Sequence, residues 1–70
     1  MDPRITTLHD VQQLLRQFGT MIYTGDPLGD LELMEAELRE LFLEWHVISS
    51  EQFQQALGVL RREQERNLQD

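Results

Sequence analysis

Between Leu31 and Trp45 the apolar residues Leu31, Met34, Leu38, Leu41, Phe42 and Trp45 recur at the three- and four-residue spacing of one face of an α-helix. A half-buried strand would need apolar side chains at alternate positions, and this stretch does not supply them. At ~100° per residue the six fall within an arc of roughly 100°, so the spacing predicts a helix over about 31–46 with one side to bury.

Two further stretches offer matching faces. Leu8, Val11, Leu14, Leu15, Phe18 and Ile22 share an arc opposite His9, Gln13, Arg16 and Gln17, predicting a helix over about 8–18. Thr7 with Asp10 is an aspartate version of the capping box, and Gly19 suits the left-handed residue that closes a helix. Ser49 and Gln52 form a second capping box, with Ile48 placed to staple onto Phe53, so a third helix is expected over about 50–66. Its inner face is read as Phe53, Ala56, Leu57 and Leu60. Further along that face stand Gln64 and Asn67, which predicts that the last turns pass beyond the core or fray.

Between the first two helices, Thr20 to Thr24 reads as an extended connector pinned by Ile22 and Tyr23. Asp26-Pro27-Leu28-Gly29 matches a type I turn, after which Asp30 would cap the second helix. The expected fold is all-α, a small three-helix bundle with an extended connector between helices 1 and 2, forming one domain over residues 1–70.

At 70 residues the chain buries roughly 60% of its unfolded surface, a core of about a dozen side chains, which leaves function to the surface. With no cysteine there is neither a disulfide nor a thiolate metal site. The start Met1-Asp2-Pro3-Arg4 is unlike a secretion leader, and no apolar run approaches the ~18 residues of a membrane span, so the expected location is the cytoplasm with no membrane partner. Thirteen acidic residues against six arginines give a formal net charge of −7, which disfavours nucleic-acid phosphates and anionic lipid.

The two histidines, His9 and His46, lack metal-ligand spacing, and no metal or other cofactor is expected. Glu32, Glu35, Glu37, Glu40 and Glu44 lie on a helix surface without the cleft that acid–base chemistry requires, and there is no nucleophile–base constellation or phosphate loop. The chain is therefore expected not to be an enzyme. Phe18, Phe42, Trp45 and Phe53 sit on inner stripes and are expected in the core, whereas Tyr23 lies off the helices.

Two surface features remain. Leu33 and Leu43 stand outside the core stripe among Glu37, Glu40 and Glu44; Leu33, Leu43, Glu40, Tyr23 and Asp26 are the candidate contacts for a protein partner or a second copy. Arg61, Arg62 and Arg66, together with Tyr23, are the alternative candidates, for single-stranded nucleic acid. Against the alternative, Glu63 and Glu65 interleave the arginines at ion-pairing spacing.

The segments Asp10-Val11-Gln12-Gln13-Leu14-Leu15, Phe18-Gly19, Ile22-Tyr23-Thr24-Gly25-Asp26 and Asp30 to Glu35 resemble the bacterial YqgQ family, and the likeness continues through Leu38, Leu41, Phe42, Ile48, Ala56 and Leu60-Arg61. It spans about Leu8 to Glu63, with the Tyr-x-Gly-Asp segment its most distinctive part. The resemblance implies a three-helix bundle in a cytosolic bacterial protein without known enzymatic activity. Single-stranded nucleic-acid binding has been suggested for such proteins. A basic residue often follows the Gly-Asp pair in the family, where this chain has Pro27, and lysines are common where this chain has none; both departures weaken that suggestion. The reading preferred here is a non-enzymatic helical adaptor, with weak single-strand binding as the alternative.

Overall fold

The computed structural model describes residues 4–68. Met1 to Pro3, which head the polar start noted above, lie outside the described residues, as do Gln69 and Asp70. The described residues form a three-helix bundle of α1 (Leu8–Gln17), α2 (Pro27–Arg39), which runs on into a π-helical turn over Glu40–Glu44, and α3 (Ser50–Leu68).

Both capping boxes are in place. The Asp10 N–H donates to Thr7 Oγ1 at 3.2 Å while Asp10 Oδ2 accepts the Thr7 N–H at 3.1 Å, so orphan donors at the start of α1 are satisfied reciprocally. Ser49 and Gln52 do the same for α3, at 3.1 and 2.9 Å. Gly19, at φ +83°, closes α1, and its N–H reaches the Arg16 carbonyl.

The core joins Val11, Leu14 and Leu15 of α1, Leu31, Met34 and Leu38 of α2, Leu41 of the π turn, and Ala56, Val59 and Leu60 of α3, closed by Ile48 and Ile5. The most extensive pairing is α2 on α3, with α1 laid against both. Phe42 stacks on Phe53 with ring centroids 4.6 Å apart and planes 13° from parallel, which ties the end of α2 to the start of α3. Ile5 and Val59 were not expected in the core. Ile5 precedes any helix, and its N–H donates to Gln55 Oε1 at 3.2 Å, so the leading strand of chain lies on α3.

Four expectations are corrected. Asp26-Pro27-Leu28-Gly29 is the first turn of α2 rather than a separate turn; the central dihedrals of a type I turn begin like a helix, and proline at the first helical position lets the helix continue. Asp30 is accordingly not the cap but a buried residue of α2, 9% exposed. Tyr23 does not pin the connector: it is 89% exposed, while Ile22 alone packs on the core. Phe18 and Trp45 are both exposed instead of buried, each being the residue that follows the last helical turn of its element.

Candidate functional site

The corner where α2 passes into α3 is built by its backbone. At the end of α2 the Trp45 N–H reaches back five residues to the Glu40 carbonyl at 3.0 Å, and the Val47 N–H reaches Leu41 O at 3.0 Å. Such a widened turn rotates each residue by less than the ordinary helical step, which carries Trp45 off the apolar stripe. His46 then reverses the chain at φ +54°, a left-handed conformation that costs a non-glycine residue on the order of 1 kcal/mol. Leu41 and Ile48 point inward and stay buried, while Leu43, Trp45 and Val47 are left 60, 65 and 48% exposed. Three large apolar side chains thus face solvent within five residues.

Along this stretch of the sequence the formal charge has one sign. From Glu40 to Glu51 the chain carries three carboxylates, Glu40, Glu44 and Glu51, and no lysine or arginine. The indole Nε1 of Trp45 lies 3.5 Å from Glu40 Oε1, at the outer limit of a hydrogen bond. The neighbouring cation, Arg39, is engaged with Glu35 at 3.0 Å.

Leu33 is 48% exposed, as its place outside the stripe implied, and Leu43 is exposed too. The other expected protein contacts are not drawn together. Asp26 and Leu43 are seventeen positions apart on one helical element, about 25 Å at 1.5 Å per residue, so the Tyr23–Asp26 loop and the Leu43 corner stand at opposite ends of α2. Trp45 and Val47 join Leu43 at the corner, although sequence reasoning placed Trp45 in the core and passed over Val47.

The connector is held along α2 by two contacts. Asp30 Oδ1 accepts the Thr24 N–H at 2.9 Å and the Thr24 hydroxyl at 2.6 Å, and further up the helix the Thr20 hydroxyl donates to Glu37 Oε2 at 3.4 Å. Between the connector and α1 lies an open groove of 280 Å³ lined by His9, Arg16, Met21, Ile22, Tyr23 and Met34, among others. Arg62 and Arg66 line a different cleft, of 360 Å³, with Thr6, Thr7, Leu8, Val59 and Glu63. Glu63 pairs with Arg66 at 3.4 Å, Arg61 is exposed without lining that cleft, and Tyr23 belongs to the other groove. Of the four residues considered for a single strand, Arg62 and Arg66 share a cleft, while Arg61 and Tyr23 do not line it.

His9 is exposed on α1 and His46 is exposed beyond α2. Among the described residues no three His, Asp or Glu side chains gather as a metal cluster, and no helix is long and apolar enough to cross a membrane. Among the described residues a clear pKa displacement is found at Asp10, whose carboxyl is held below its ordinary value by the Thr6 and Thr7 backbone N–H groups at the start of α1.

A model of the YqgQ-like family matches residues 5–66. The chain belongs to the YqgQ-like family. The Bacillus subtilis (strain 168) protein named "Uncharacterized protein YqgQ" is 46% identical over 61 residues, which cover 87% of this chain and 84% of that one. The span matched to the YqgQ-like family takes in the whole α2–α3 corner as well as Arg61, Arg62 and Arg66.

Proposed function

We propose that this YqgQ-like protein is a non-enzymatic helical adaptor of the cytoplasm that binds a protein partner through the α2–α3 corner. One observation carries the reading: a chain with a core of about a dozen side chains leaves three large apolar side chains, Leu43, Trp45 and Val47, exposed within five residues. Scattered exposed apolar residues are ordinary, but an apolar cluster rimmed by charge has the makeup of a specific interface. Leu33 is a separate exposed apolar residue of α2, about 15 Å along the helix from Leu43 at the helical rise. A photo-crosslinking residue at position 43 is expected to capture a protein from lysate of the source bacterium, with or without nuclease, while one at position 62 captures none. Capture only at position 62, abolished by nuclease, would favour single-strand binding instead.

A further inference from the structure

Resting on the adaptor reading, we infer that the segment bound at the α2–α3 corner is basic: a short stretch of a partner protein in which an aliphatic anchor stands beside arginine or lysine. The apolar half of the match is Leu43, Trp45 and Val47, all exposed within five residues of chain that follow Phe42 of the Phe42–Phe53 stack. The charged half is Glu40 and Glu44, both exposed, in a stretch that runs to Glu51 without a lysine or arginine. Arg39, which could neutralise them from α2, is held by Glu35. A guanidinium or ammonium arriving here meets Glu40 and Glu44, neither of which forms a salt bridge among the described residues, and it can also lie over the indole face of Trp45, the ring that best attracts a cation.

The same charges argue against other occupants. A second copy docking by two-fold symmetry would bring the same patch from both sides, so the Glu40 and Glu44 carboxylates of both chains would be gathered into one interface without a lysine or arginine from this stretch. Phosphate backbones and anionic lipid meet the same repulsion, reinforced by the net charge of −7.

Trp45 is the chain's sole tryptophan, so its fluorescence reports directly on the corner. The probes are three short peptides without Trp or Tyr, sharing one leucine pattern and carrying Arg, Gln or Glu at every polar position, titrated into the full chain at low salt. The Arg peptide is expected to shift the emission saturably, the Gln peptide to bind about tenfold more weakly, and the Glu peptide to leave the emission unchanged. Removing two carboxylates by Glu40→Gln with Glu44→Gln should weaken the Arg peptide about five- to tenfold, whereas Glu32→Gln with Glu65→Gln, the same charge removed at exposed positions elsewhere, should change it less than about twofold.

Equal affinity for the Arg and Gln peptides, or equal loss in the two double variants, overturns the inference, as does the absence of any response. A partner cross-linked at position 43 through an uncharged or acidic segment also overturns it while leaving the adaptor reading intact. Sedimentation showing a dimer that Leu43→Ser disperses would assign the face to a second copy and overturn it equally.

Discussion

The contact between Asp30 and Thr24 decides whether the connector is a fixed part of the bundle, and it can be tested by removing each partner. Asp30 is 9% exposed and accepts two hydrogen bonds from Thr24, one from the backbone and one from the hydroxyl. Hydrogen bonds to a charged acceptor contribute about 1.5 to 3 kcal/mol each when buried; because Thr24 is exposed and water can replace the lost acceptor, Asp30→Ala is expected to cost about 2 kcal/mol in total. Thr24→Val keeps the N–H bond and the side-chain shape and should cost about 1 kcal/mol. A chain of 70 residues has about 3 to 10 kcal/mol of stability, so the first loss is a large fraction of it. With a urea slope of about 1 kcal/mol/M, the midpoint of Asp30→Ala should fall by about 2 M. The double variant should cost little more than Asp30→Ala alone, giving a coupling of about 1 kcal/mol. A loss under about 0.5 kcal/mol in Asp30→Ala, or strictly additive single effects, would refute the claim that this pair fastens the connector.

Three further outcomes are expected. Leu60 is fully buried in α3, so Leu60→Asp, which places an unpaired carboxylate in the core at a cost of several kcal/mol, should abolish the cooperative thermal transition seen by circular dichroism. Leu33→Ser with Leu43→Ser should leave stability within about 1 kcal/mol of the parent, because both side chains are exposed, and should reduce partner capture; a large loss in a urea melt would show that they are packed. The lowered pKa of Asp10 means that its folded-state bonds favour the carboxylate. That stabilisation is therefore fully present above its ordinary value of 3.8 and is lost as pH falls through the lower folded-state value. Asp10→Asn should accordingly melt below the parent at pH 7, and the gap should close under strong acid; a gap independent of pH would overturn the assignment.

What was legible in the sequence was local or periodic. The two capping boxes join groups three residues apart, and the centres of the stripes, Val11, Leu38 and Leu60, lie deep enough to be buried whatever the neighbouring geometry. Asp30 was misread because a helix cap and a residue of the first turn attract the same side chain; which one holds depends on where the helix begins, and Pro27 moved that point back by one turn. Ile5 was missed because its burial depends on a bond to Gln55, fifty positions away, which no local pattern announces.

The errors at Phe18 and Trp45 share a cause that bears on function. Counting at 100° per residue assumes that the helix continues unchanged, and its error is greatest at the last residue of a stripe. At Phe18 the helix stops one residue short, so the ring leaves the face it was counted on. At Trp45 the closing bonds lengthen to five residues and His46 takes a left-handed conformation, so the indole turns outward. A glycine at position 46 would adopt that backbone without strain, and an uninterrupted α-helical turn would keep Trp45 nearer the stripe. The chain has neither, and the aromatic side chain that simple periodicity assigns to the core instead joins Leu43 and Val47 among the exposed apolar residues of the corner. The same departure from regular helix that defeats the sequence reading therefore exposes the indole at the surface proposed for partner binding.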